Sequence, residues 1–107
     1  MKIISWNVNS IRARFKYVNE LLDSEKPDIL CLQETKIIDQ EFPHKSFSEQ
    51  GYFSYCFGVP SYNGVAIISK KKLTNIEKQS LCNKPDARII SAKTSKFEIL
   101  SVYVPAG

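Results

Sequence analysis

Two segments, GVAIISK (64–70) and FEILSVYV (97–104), carry apolar side chains on both faces of an extended chain. The first does so through Val65, Ala66, Ile67 and Ile68, the second through Ile99, Leu100, Val102 and Val104. Side chains alternate between faces along a strand, so a strand that is apolar on both must be covered on both. That requirement excludes an open sheet with one wet face.

The remaining pattern shows what is on hand to cover them. KIISWNV (2–8) reads as a buried strand, with Ile3, Ser5 and Asn7 on one face and Ile4, Trp6 and Val8 on the other. Ser10 is placed to cap a helix running to about Ser24, whose Ile11, Phe15, Val18 and Leu22 fall on one stripe at helical spacing. Lys26-Pro27 stops it, and Asp28 opens a second strand. Strand, helix, strand with short links is a βαβ-like start. From Ile38 to Gly51 the pattern is that of a loop with a short helix. Strands then follow at 52–57, 64–70, 75–80, 88–94 and 97–104, with breaks marked mostly by Gly, Pro, Asn or Asp, as in hairpins and a meander. The expectation is an α/β (α+β) chain whose strands lie mostly in one mixed or antiparallel sheet. One helix covers one face, and the chain reads as an incomplete sandwich lacking cover on the other.

At 107 residues this is about one domain, and 43% hydrophobic with 24% charged residues is an ordinary globular balance. A net charge of +4 reads first as ordinary solubility and is only a weak pointer to an anionic partner. Cys31, Cys56 and Cys82 are odd in number and lack CxxC spacing, which argues against a disulfide framework and a zinc site. With no secretory signal and no long apolar run, a soluble cytoplasmic protein without a membrane partner is expected. Lys70-Lys71-Lys72 reads as a solvated turn, and His44 as a surface residue.

The strand DILCLQETK (28–36) enters the interior as Ile29-Leu30-Cys31-Leu32 and leaves it as Gln33-Glu34-Thr35-Lys36. A carboxylate at the edge of a core is costly unless a cation or hydrogen-bond donors meet it. Asn7, Glu34 and Tyr103 all stand at the carboxyl ends of strands, where α/β architectures bind ligands. A hard divalent cation with waters would satisfy Glu34. So would an edge ion pair with Lys36 or an arginine, and spacing alone does not separate the two. Asn7 as a turn residue and Tyr103 as a sheet-edge aromatic are the corresponding plain readings.

WNVNSIRAR (6–14), PDILCLQETK (27–36), YNGVAIISK (62–70), DARII (86–90) and YVPAG (103–107), in this order and spacing, resemble the amino-terminal half of the exonuclease III family of apurinic/apyrimidinic endonucleases, within the endonuclease/exonuclease/phosphatase superfamily. The resemblance implies a four-layer α/β-sandwich, two sheets face to face with helices outside, present here in part across residues 1–107. It implies that Glu34 binds Mg²⁺, with Mn²⁺ as a substitute, and that Asn7 helps organise the metal site. It implies that Tyr103 is a catalytic tyrosine close to the scissile phosphate. Arg12 and Arg88 would hold DNA phosphates, and Tyr62 and Asn63 would lie on a DNA-facing loop. The implied partner is double-stranded DNA with abasic sites or 3′ ends.

Each role suits its chemistry. A cation offsets charge building on phosphate oxygens, arginine grips phosphate through two donors, and a phenol donates to developing charge or acts as a base. The plain readings of Arg12 and Arg88 are a solvated helix face and a strand-edge charge. The family's second half carries an aspartate-x-asparagine motif, a further asparagine and a final aspartate–histidine pair, and these have no counterpart in this chain. Ala106 stands where the family often has a longer polar amide. The expectation is therefore a DNA-repair phosphodiesterase that is inactive or feeble as this chain. One alternative is a non-catalytic half that docks to a carboxyl-terminal half supplied in trans. Another is a superfamily phosphodiesterase acting on RNA or phospholipid.

Overall fold

A computed structural model of the chain describes residues 1–80 and 86–104. Cys82 and Ala106 lie outside the described residues. The elements run β1 (Ile3–Asn7), α1 (Phe15–Glu25), β2 (Ile29–Gln33), a short 3₁₀ turn (Asp39–Glu41), α2 (His44–Glu49), β3 (Phe53–Phe57), β4 (Val65–Ser69), β5 (Thr74–Gln79), β6 (Ile89–Lys93) and β7 (Glu98–Val102). The expected α/β sandwich is present. Its strands divide between a four-stranded sheet, β1-β2-β4-β3, and a three-stranded sheet, β5-β6-β7, instead of gathering mostly in one.

That division supplies the cover on both faces that β4 demands, but not the same cover for β7, where the expectation drawn from 97–104 fails. β1 and β2 run parallel, joined over the sheet by α1, whereas β2–β4 and β3–β4 are antiparallel. Leu30 and Leu32 of β2 and Ala66 and Ile68 of β4 face Val18 and Leu22 of α1 and Phe47 of α2. Their neighbours Ile29, Cys31, Val65 and Ile67 point the other way, against Ile90 and Ala92 of β6 and Ile99 of β7. β4 is buried at every position because it lies between the helices and the second sheet. Each fully buried Leu or Ile here contributes about 1.5–3 kcal/mol of hydrophobic stabilisation. β7 is covered on one face only: Ile99 and Ser101 point inward, while Leu100 and Val102 point out and are exposed.

The helix begins later than Ser10 predicts. Residues 11–14 form turns, and α1 starts at Phe15. Ser10 Oγ instead accepts from the Ala13 backbone N–H at 3.2 Å. The cause is tertiary. The segment after β1 is stitched to the segment after β2 by Val8 N–H to Gln33 O, Ser10 N–H to Glu34 O and Ile11 N–H to Thr35 O, at 2.8–3.1 Å. These bonds hold Asn9 and Ser10 at positive φ, outside a helix. Lys26 in the left-handed conformation ends α1 as expected.

Candidate functional site

The sequence-predicted site residues lie at strand ends or on the connections beside them, and several of these connections are tied to one another through their backbones. The tie between the ends of β1 and β2 continues to the loop before β4, where Thr35 N–H donates to Gly64 O and Lys36 N–H to Asn63 O. Gly64 N–H in turn donates to Ala87 O, and Tyr103 N–H to Arg88 O at 2.8 Å. Glu34, Lys36, Asn63 and Ala87 all adopt positive φ, a conformation that costs a non-glycine residue about 1–3 kcal/mol. At Gly64, with φ +96°, a side chain is barred by space as well: a Cβ there would collide with Thr35 Oγ1.

Asn7 and Glu34 meet. Asn7 Nδ2 donates to Glu34 Oε2 at 2.5 Å, while Asn7 Oδ1 accepts from the Asn9 backbone N–H at 3.2 Å. The asparagine is thus held at both ends of its amide and aims its nitrogen at the carboxylate, orienting Glu34. Lys36, the plain partner for Glu34, turns elsewhere: its Nζ donates to Asn9 Oδ1 at 2.6 Å. Among the described residues no Lys or Arg forms an ion pair with Glu34.

Arg88 is held by Asp86, a buried carboxylate two residues before it in DARII whose part the sequence alone does not disclose. Arg88 Nε lies 2.8 Å from Asp86 Oδ2, an ion pair whose N–H is not aligned as a hydrogen bond. The pairing through Nε leaves the terminal guanidinium nitrogens unengaged by that carboxylate. Asn63 Nδ2 donates to Asp86 O at 2.6 Å, so Asn63 fixes the same segment. Tyr62 is exposed beside it, and Tyr103 is half-buried against the inter-sheet core. Arg12 stands apart in its pairing: its guanidinium contacts Glu41 Oε2 at 2.9 Å on the surface, near Ile11 and Phe15. Such an exposed pair contributes about 0–1 kcal/mol, and a phosphate can compete for it.

His44 belongs to a different place. Its ring bridges Ser54 Oγ at 2.6 Å and Cys56 Sγ at 3.6 Å, and packs on Phe42 with ring centroids 4.9 Å apart. The residue is exposed, but its ring is covered enough that desolvation holds its pKa below the usual value. Cys31 and Cys56 are free thiols, pushed up to about 11 and about 12 by burial.

The donors fit a hard cation in kind: a carboxylate oriented by an amide, with no competing ammonium paired to it among the described residues. They do not make a closed cage. Among the described residues no group of three or more His, Cys, Asp or Glu could hold a metal by itself. Mg²⁺ is typically bound through one or two carboxylates and keeps its other positions for water and phosphate oxygen.

Known proteins match this chain over nearly its whole length. Residues 4–105 match the model of the Endonuclease/Exonuclease/phosphatase family. The chain is 34% identical over 113 residues to exodeoxyribonuclease III of Haemophilus influenzae, covering all of this chain and 42% of that protein. It is 40% identical over 109 residues to recombination repair protein 1 of Drosophila melanogaster, covering 98% of this chain and 16% of that protein. In structure it is similar to a 3′ phosphatase from Neisseria bound to product DNA hairpin, with TM-score 0.91, 36% identity, and 96% of this chain and 41% of that one covered. An AP endonuclease from Archaeoglobus fulgidus gives TM-score 0.88 and 39% identity over 98% of this chain and 41% of that one. The chain thus spans less than half the length of each of these relatives. With a family match over nearly its whole length and a sandwich of the same shape, the chain belongs to the Endonuclease/Exonuclease/phosphatase family.

Proposed function

We propose that this chain forms the amino-terminal part of a Mg²⁺-dependent DNA phosphodiesterase that incises at abasic sites and trims 3′ ends. The observation that carries the reading is Glu34, oriented by Asn7 at 2.5 Å and without an ion-pair partner among the described residues. Relatives of known name that act on DNA, and one solved with DNA, support the substrate.

In this reading Glu34 holds the cation through its carboxylate, and Asn7 keeps that carboxylate turned outward. Mg²⁺, or Mn²⁺ in its place, supplies Lewis-acid relief of the charge that builds on phosphate oxygens during displacement. Arg88, steadied by Asp86, offers its terminal nitrogens to a phosphate as a planar fork. Tyr103 donates its phenolic proton as a hydrogen bond toward developing charge. Tyr62 and Asn63 lie on a loop that faces DNA, with Asn63 tying that loop to Asp86. Arg12 exchanges Glu41 for a backbone phosphate. His44 lies elsewhere, engaged with Ser54 and Cys56, and supplies no base at this lip. Residues 1–107 alone therefore incise feebly or not at all. A cytoplasmic location is part of the same proposal.

Nicking of abasic plasmid by the chain, with Mg²⁺ and with EDTA, tests this. Little or no incision is expected, together with metal-dependent binding of abasic duplex that Glu34→Gln removes. Robust incision by residues 1–107 sinks the half-enzyme reading, and metal-independent binding sinks the role of Glu34.

A second reading has its own observation. Among the described residues β1 and β7 each pair on one side only, and Ile3 on the first and Leu100 on the second are 51% and 50% exposed. Open edges with apolar neighbours suit a chain that docks to a separately supplied carboxyl-terminal half. A clean monomer at high concentration argues against it.

A further inference from the structure

The three strands that lead into Asn7, Glu34 and Tyr103 are joined by one buried side chain, the carboxamide of Gln33. Its Nε2 donates to Ser5 Oγ of β1 at 3.1 Å and to Ser101 Oγ of β7 at 3.1 Å. Ser5 Oγ also lies 3.4 Å from Gln33 Oε1, and Ser101 Oγ donates to Leu32 O at 3.0 Å. Ser5 stands two residues before Asn7 and on the same face of β1, and Ser101 two residues before Tyr103. Glu34 follows Gln33 directly.

The surroundings make this choice of residue informative. The same space between the sheets is otherwise filled by Ile29, Cys31, Val65, Ile67, Ile90 and Ile99. A buried amide adds little stability over an apolar side chain of similar volume, because its hydrogen bonds replace bonds to water. What it adds is register. A slide of β7 along β2 is resisted weakly by apolar contact and strongly by a network that would be left unpaired. Among the described residues the two sheets share no backbone ladder, and the backbone ties between their ends pass through the loops before β4 and β6, so the direct polar link from β2 to the end of β7 is the one between Gln33, Leu32 and Ser101.

We infer that Gln33 is a positioning residue: through Ser5 and Ser101 it sets the placement of Asn7 and Tyr103 about Glu34. The inference rests on the metal-phosphodiesterase reading for its purpose, but its geometry is measurable without metal.

The test compares the full chain with Glu34→Gln and with a triple variant, Gln33→Leu, Ser5→Ala, Ser101→Ala, which removes the network without stranding a polar group. Unfolding by urea checks stability, Mn²⁺ titration by electron paramagnetic resonance reads the metal, and metal-free NMR reads the Asn7 side-chain amide and the Tyr103 ring. The triple variant is expected to unfold at a midpoint close to the parent's, to bind Mn²⁺ about tenfold more weakly, and to show shifted or broadened Asn7 and Tyr103 signals. A folded triple variant with parental signals and Mn²⁺ affinity within twofold overturns the inference. If the triple variant does not fold, Ser101→Ala decides in its place: displaced Tyr103 signals support the role, unchanged ones refute it. Should the parent bind no Mn²⁺ that Glu34→Gln abolishes, the metal reading fails by itself, and the metal-free signals still decide for or against Gln33.

Discussion

Asn7 Nδ2 and Glu34 Oε2 lie 2.5 Å apart although 27 residues separate them in the chain. The parallel register of β1 on β2 brings Asn7 opposite Gln33, so the amide needs to reach only one residue further. Asn7→Ala removes the donor that orients the carboxylate. Mn²⁺ affinity is expected to fall about 10- to 100-fold, as for other residues that orient a metal ligand. Because Asn7 is exposed, the stability should stay within about 0.5 kcal/mol of the parent's. Isothermal titration with Mn²⁺ and urea unfolding separate the two effects.

Gly64→Ala strikes the same end of the sandwich by another route. The new Cβ meets Thr35 Oγ1, and a positive φ of +96° is retained only with strain. Thr35 is itself buried and its N–H bonds Gly64 O, so neither side can retreat freely. A loss of about 2–3 kcal/mol is expected in urea unfolding. Gly51→Ala, with open space at Cβ, is the control and carries only the cost of its φ of +89°.

The buried thiols should be silent in the folded protein. Thiolate is the reactive form, and Cys31 and Cys56 are held at about 11 and about 12. Iodoacetamide at mildly alkaline pH is expected to leave both unmodified for hours and to label both within minutes in urea. Peptide mass mapping assigns the sites.

His44 gives a pH dependence whose sign follows from its lowered pKa. The unfolded chain binds a proton near the ordinary histidine value of 6.5, and the folded chain binds it only at lower pH. The contribution of neutral His44 is therefore complete above about pH 6.5 and is lost as pH falls through the folded pKa. Asp39 opposes the shift, while Lys78 adds to it. His44→Gln should flatten that part of the stability curve, read as urea midpoints from neutral to mildly acidic pH.

Much of the fold follows from local pattern. The unbroken apolar runs of β2 and β4 announce strands covered on both faces, and the alternation in KIISWNV separates Ile4 and Trp6, which pack under the helices, from Ile3, Ser5 and Asn7. Period-two alternation reports faces, not partners, so it does not tell that β5, β6 and β7 form a sheet of their own. The start of α1 is hidden for the same reason: Ser10 has the right chemistry for a cap, and backbone bonds to Glu34 and Thr35 override it. At the site, Glu34 is visible as a charge where none is cheap. Asp86 and Gln33 are less visible, because what matters about each is its partner, Arg88 in one case and distant Ser101 in the other.

The bond from Gln33 to Ser101 joins residues 68 positions apart, among the most distant pairings in the described chain. Closing so large a loop costs entropy before any contact repays it, and contacts of this kind slow folding. On a ribosome, β2 emerges long before β7. Until the last strand arrives, the amide must stay hydrated at the edge of a half-built interior, so the lip that holds Glu34 takes its final shape only when synthesis of this segment is nearly done.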